Sequence, residues 1–296
     1  MNKFFASLLF LALSTPVIAQ DLLGKIGEDK PKKEFITNAF KATRVINGQS
    51  MEFLGKGVLD FRILHRFGFV NSGVKNLFGL DQASMRFGLD YGISRRIMVG
   101  LGRSNFSKEL DVFAKYRPIW QASGPGGSPV SVVLVTGMTY STVPWAYPDR
   151  KNYITSRMSF YNQIIIGRKF SNAFSLQLAP LFVHRNLIDS VKDSHDIYAL
   201  GVGARIKLSN RVAFVVDYHP ILYGRQEGTK DPLSVGFDIE TGGHVFQLHF
   251  SNATGMNERA FITETKGDFL RGDIRFGFNL SRVFTIVKPK EFKKKG

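Results

Sequence analysis

Cysteine is absent from the 296-residue chain, so no disulfide framework holds it and no lipid can be attached at a processed N-terminal cysteine. Beyond residue 20 no apolar run approaches the roughly 18 residues that a membrane helix needs. That excludes a helical membrane protein. No segment of ordinary helical length carries a clean 3.6-residue apolar stripe, so an α/β fold finds no helices to use. No Pro/Gly/Ser linker divides the chain either. The net charge is +16, but its Arg and Lys are scattered singly between apolar residues. Nucleic-acid binding would favour a clustered basic patch, and no nucleic-acid partner is expected.

What is present begins with an export signal at residues 1–19. Lys3 supplies the positive start, Phe4 to Leu13 the apolar stretch, and Val17 and Ala19 the small residues that place cleavage after Ala19. An exported basic chain meets anionic lipid headgroups, lipopolysaccharide phosphates or acidic solutes.

From Gly55 on, apolar and other residues alternate with a period of two. Leu59, Phe61, Ile63 and Phe67 share one face, with Asp60, Arg62, Leu64 and Arg66 on the other. The same manner returns at Ala83 to Gly92, from Ile97, and at Glu109 to Trp120. Further spans are Val130 to Ser141, Ser156 to Arg168, Ala173 to His184, Asp196 to Leu208, Val212 to Tyr223, Leu233 to Glu240, His244 to Ser251 and Leu270 to Phe284, about twelve strands in all. A soluble sandwich would turn the apolar faces inward, and an outer-membrane barrel turns them out to lipid. The polar faces decide for the barrel. They carry Arg and Asp interleaved with bare glycine, which suits a narrow lumen where charges pair. The expected lumen-lining residues are Arg62, Arg66, Arg86, Asp90, Arg117, Arg157, Arg271, Asp273 and Arg275.

The connections agree. Tight turns such as "ISRR", "KFSN", "SNR" and "TGG" alternate with long loops such as "TVPWAYPDRKNYI" and "NATGMNERAFITETKGDF". Short turns at one rim and long loops at the other are the outer-membrane asymmetry, with the short ones periplasmic. The fold class is therefore all-β, an antiparallel transmembrane outer-membrane β-barrel over residues 55–284. Residues 20–54 read as a periplasmic lead-in or lumenal plug, with an extra strand over 35–46 as the alternative, and residues 285–296 as a basic periplasmic tail. Tyr140, Trp145, Tyr147, Tyr153 and Tyr161 lie where aromatic girdles lie. Phe276, Phe278, Leu280 and Phe284 resemble the aromatic-ended last strand that barrel-assembly machinery reads, although a tail follows here.

Three stretches, "FKATRVINGQSMEFLGKGVLDFRILHRFG", "LFGLDQASMRFGLDYGISRRIMVGLGRS" and "GHVFQLHFSNATGMNERAFI", resemble a family of membrane-bound β-barrels of unknown function, found chiefly in Bacteroidetes. The resemblance implies an outer-membrane location and a closed barrel. It supplies no substrate.

Chemistry is sparse. In "HFSN", His249 and Ser251 share a face, and an imidazole beside a hydroxyl is the minimum for an activated nucleophile. With Asn252 the element is similar to the His-x-Ser-Asn of outer-membrane phospholipases and lipid A deacylases. There the pair faces lipid. Here Phe246, Leu248 and Phe250 would take the lipid face and turn His249 and Ser251 into the lumen. "DSHD" at Asp193 to Asp196 is better read as a charged loop than as a metal site, and "GVGARI" at Gly201 as small lumenal residues. No metal or other cofactor is expected. The leading expectation is a narrow, anion-leaning channel or a structural surface component. A lipid or acyl-ester hydrolase using Ser251 and His249 is the alternative, and an assembly partner with long loops or a Lys-rich tail is the third. Expected partners are outer-membrane lipids, lipopolysaccharide and the barrel-assembly machinery.

Overall fold

The computed structural model describes residues 32–188 and 190–287. The expected export signal, residues 20–31 of the expected lead-in or plug and residues 288–296 of the basic tail lie outside the described residues. Twelve antiparallel strands form the barrel. They are β1 Val58–Phe69, β2 Ala83–Gly92, β3 Ile97–Ser104, β4 Glu109–Ile119, β5 Ser131–Ser141 and β6 Met158–Lys169, then β7 Phe174–Arg185, β8 Asp196–Lys207, β9 Val212–Tyr218, β10 Leu233–Thr241, β11 His244–Ser251 and β12 Arg275–Thr285. Each pairs with its neighbours in the chain, and β12 pairs with β1 from Arg275↔Phe69 to Thr285↔Val58. That last ladder closes the sheet, so none of its twelve strands is an edge strand.

The tight turns have a common local cause. In "ISRRI", "FSNAF" and "LSNRV" a serine follows an apolar residue, and its Oγ accepts the amides two and three positions on. Ser94 takes Arg96 and Ile97 (3.1 and 3.0 Å), Ser171 takes Ala173 and Phe174 (both 3.1 Å), and Ser209 takes Arg211 and Val212 (3.3 and 3.0 Å). A local hydroxyl acceptor thus stands in for the missing ladder partner. Gly242 and Gly243 make the fourth tight turn at φ +48° and +124°, where a side chain would be strained.

Two expected strands differ in extent by more than two residues. The span Val212 to Tyr223 breaks after Tyr218 because Pro220 has no amide for the ladder, and Ile221–Tyr223 resumes against β8. The span Leu270 to Phe284 starts only at Arg275: Asp268 caps a 3₁₀ turn over Phe269–Arg271, and Gly272 in the left-handed region ends it.

The two faces settle which way the sheet turns. Leu101 is 52% exposed and Tyr116 46%, while Arg62 and Arg86 on the other face are 2% and 0% exposed. Apolar side chains point outward and charged ones inward, as in a membrane barrel. The interior is filled. Residues 35–46 add no barrel strand. Glu34–Phe35 pairs with Ala122–Ser123 at the short-turn rim, and the chain then runs inward through a hairpin over Thr43 to Ser50 (Ser50 N to Thr43 O 3.0 Å, Val45 N to Gly48 O 2.8 Å). From the long-loop rim, the connection between β11 and β12 folds inward. It carries the helix α1, Glu258–Thr263, all six residues of which are buried.

Candidate functional site

Charge is concentrated and geometrically organised in the lumen, and its wall grips the hairpin by the backbone. One carboxylate oxygen of Asp217, on β9, accepts the amides of Ile46, Asn47 and Gly48 at 3.2, 2.7 and 2.9 Å. Three successive amides converging on one anion make an anion nest. Its other oxygen faces His219 Nε2 at 2.8 Å. Lys115, on β4, does the converse: its Nζ donates to the carbonyls of Thr43, Ser50 and Glu52 at 3.3, 2.8 and 3.0 Å. Gln177 closes the side towards β7, accepting from Met51 N at 3.0 Å and donating to Gln49 O at 2.7 Å.

Hairpin and inward loop meet inside the barrel. Arg44 Nη1 lies 2.8 Å from Glu258 Oε1, each side chain 1% exposed. Asn257 caps α1 by accepting from Ala260 N at 2.8 Å and reaches Glu109 Oε2 at 2.8 Å, while Arg259 bridges Glu109 and Glu264.

Of the expected lumen-lining residues, five are buried inside. Arg62 Nη1 sits 3.9 Å from both Asp60 and Asp90, and Asp90 accepts Thr43 Oγ1 at 3.1 Å. Arg66 holds Asn47 Oδ1 at 2.8 Å and Asn279 Oδ1 at 3.0 Å. Arg86 grips Asp111 (Nε to Oδ1 2.8 Å) through space that two glycines leave open; a Cβ on Gly102 would come within 2.2 Å of its guanidinium. Arg117 stacks on Phe53 and Trp120, 4.1 Å from each ring centre.

The other four lie at or beyond the strand ends. Strands β6 and β12 begin at Met158 and Arg275, so Arg157, Arg271 and Asp273 precede them in the long-loop connections. Arg157 lies over Trp145 at 3.8 Å, the Arg271 side chain is 82% exposed, and Asp273 accepts Asn71 Nδ2 at 2.7 Å. Arg275 sits at the rim, 3.6 Å over the Phe69 ring. Tyr161 also needs correction. It is 1% exposed and faces inward over Gly137, because Phe160, Ile164 and Ile166 hold the outward positions of β6.

His249 and Ser251 both face inward, but they are not joined. Ser251 Oγ accepts from Ser234 Oγ at 2.7 Å and from Ala253 N at 3.1 Å. The His249 ring lies against Gly277 with neither nitrogen in a hydrogen bond. Asn252 is spent on backbone, accepting from Leu233 N and donating to the carbonyls of Asp231 and Gly267 (2.8, 2.9 and 2.9 Å). At the "DSHD" loop the side chains go separate ways. His195 Nδ1 meets Arg185 O, Asp196 pairs with His184, and Asp193 accepts from Glu227 N.

Sequence reasoning missed Arg44, Asn47, Asp217 and Glu258. Asp217 was within reach, as the single acid on an otherwise apolar β9 and at inward parity. Arg44 and Glu258 are 214 positions apart, and no local pattern joins them.

No curated protein matches the chain. Among solved structures the fold is similar to the NanC porin (7% identity, 76% of this chain and 98% of that one, TM-score 0.46) and the KdgM porin (9%, 77% and 99%, 0.46). It is also similar to the translocator domain of the autotransporter NalP from Neisseria meningitidis (10%, 79% and 90%, 0.36). The family model for the membrane-bound beta-barrel domain DUF5777 matches residues 40–284, a span that takes in the hairpin, the twelve strands and the inward loop, and the chain belongs to that family.

Proposed function

We propose that the protein is an outer-membrane barrel, short-turn rim towards the periplasm and outward face against lipid, that works as a shut channel. Its path is closed by the hairpin from one end and the inward loop from the other, and it conducts only when the hairpin leaves. The observation that carries this is the Arg44–Glu258 pair, which ties the two fillers together inside the lumen. Withdrawing Arg44 while Glu258 stays dry would leave a buried charge uncompensated, at a cost of several kcal/mol, so departure of the hairpin is tied to entry of water.

The wall also refines the expected selectivity. Arg62, Arg66, Arg86, Lys115, Arg117, Arg185 and Arg205 are buried on the strands against Asp60, Asp90, Glu109, Asp111, Asp217 and Asp238, seven cations to six carboxylates. An emptied lumen would therefore lean only slightly towards anions. In planar bilayers the intact chain is expected to be electrically silent, and a chain lacking residues 39–54 to give steady conductance with weak anion preference. Steady conductance from the intact chain defeats the shut state. Silence from the shortened chain, once its barrel is shown to be inserted, defeats the channel and leaves a structural role.

A further inference from the structure

Above α1, at the long-loop rim, the connection between β5 and β6 folds over a basin of about 760 Å³. That is within the range of about 300–1,000 Å³ typical of ligand sites. Five cations line it, Arg150, Lys151, Arg157, Arg185 and Arg259, against two carboxylates, Glu109 and Glu264. Both carboxylates are taken by Arg259 on the floor, at 2.5 and 2.6 Å. Among the described residues, Arg150, Lys151 and Arg157 therefore add positive charge to the basin beyond what its two carboxylates offset.

Its aromatic rings are held in fixed relation to that charge. The Arg157 guanidinium lies 3.8 Å over Trp145, Arg150 lies 4.6 Å over Tyr147, and Lys151 lies 5.1 Å over Tyr153. Arg157 is further fixed by donating to Ser141 O at 3.2 Å, while its Nε is buried without a partner. Flat rings next to cations present both a stacking surface and a charge anchor, and guanidinium matches carboxylate or phosphate with paired donors.

We infer that this basin binds an anionic saccharide, its sugar rings against Trp145 and Tyr147 and its carboxylate or phosphate on Arg157 and Arg150. The source is either a free acidic polysaccharide or the sugar-phosphate headgroup of an outer-leaflet glycolipid. Its proposed anchors, Arg150 and Arg157, lie on the connection between β5 and β6 and on neither of the segments that fill the lumen.

Trp145 reports on it directly. The chain has two tryptophans, and Trp120 lies at the opposite rim with its Nε1 on Ile36 O. In a full-length Trp120→Phe protein in detergent micelles, titration with a uronate tetrasaccharide should give a saturable change in emission. A neutral glucan tetrasaccharide should bind at least tenfold more weakly, and Arg157→Gln should weaken the uronate at least tenfold. Tyr147→Ala, on an exposed loop, should weaken it without disturbing the barrel. Vesicles containing lipopolysaccharide that saturate the signal where free uronate does not would assign the glycolipid source. The inference fails if neutral glucan binds as well as uronate, if inorganic phosphate alone reproduces the response, if Arg157→Gln leaves it intact, or if none of these saccharides gives a saturable change. Emission is read on a non-conducting protein, so failure here and failure of the shut channel are separate results.

Discussion

The two segments that fill the lumen are held by opposite means. The hairpin over Thr43 to Ser50 offers its backbone to side chains of the wall. Asp217 takes three of its amides, Lys115 bonds three carbonyls in and next to it, and Asn279 and Gln247 take the carbonyls of Ile46 and Val45. The inward loop between β11 and β12 instead satisfies much of itself. Asn257 caps α1, Thr265 Oγ1 returns to Phe261 O at 2.7 Å, and Asn252 ties the start of the loop to Gly267 near its end. The inward loop leans more on its own hydrogen bonds, and the hairpin, beyond its own two backbone bonds, leans on the wall. In the proposed channel the hairpin is therefore the piece assigned to leave, towards the rim from which it entered.

Breaking the link between them should have the largest effect. Arg44→Met leaves Glu258 buried without its cation, which costs roughly 3–5 kcal/mol. Hydrogen exchange should show both the hairpin and α1 loosened. The double variant Arg44→Met with Glu258→Leu should recover most of the protection, because a matched apolar pair replaces a broken ionic one. If the double variant is as loose as the sum of the singles, the pair does not couple the fillers.

Next in size is Asp217→Asn, which affects one filler only. The amide side chain still presents an oxygen, but the charge that holds three amides is gone, a loss of about 1–3 kcal/mol. Amides of Ile46, Asn47 and Gly48 should exchange faster while those of α1 keep their protection. Equal loosening of both would mean that the hairpin is not held independently, and the comparison would fail.

How much of this could be read from the sequence follows from the same contrast. The barrel was legible because each strand has two unlike faces, so a period of two appears without knowledge of the partner strand. Arg62, Arg66, Arg86, Asp90 and Arg117 were found by parity alone. Arg157, Arg271 and Asp273 were misplaced because parity was extended past the strand ends, where a 3₁₀ turn at Ile154–Arg157 and the Asp268-capped turn break it. Tyr161 was misplaced because its ring type suggested a girdle when its position already pointed inward. The hairpin's role was not legible, since its partners lie up to 233 positions away and depend on barrel closure. What local sequence does record there is smallness: Gly203 leaves room for Val45, which a Cβ would approach to 2.8 Å.

The smaller effects test whether the inward loop is as self-contained as the contrast requires. Asn257→Ala removes the cap of α1 and should cost about 1 kcal/mol, seen as faster exchange at Ala260 with the amides of the hairpin tip unchanged. Smallest is the turn that returns the loop to the wall. Asp273 accepts the Asp268 amide at 3.0 Å and Asn71 Nδ2 at 2.7 Å, and these bonds hold its carboxyl below its ordinary value. A depressed carboxyl favours the bonded turn above the unfolded value of about 3.9, and that preference is lost as pH falls through the lower folded value. On acidification the Asp268 amide should therefore lose protection before the hairpin amides do, and Asp273→Asn should remove that step. If the hairpin and the turn let go together, the return turn is mechanically joined to the plug, and the inward loop is not a separate unit.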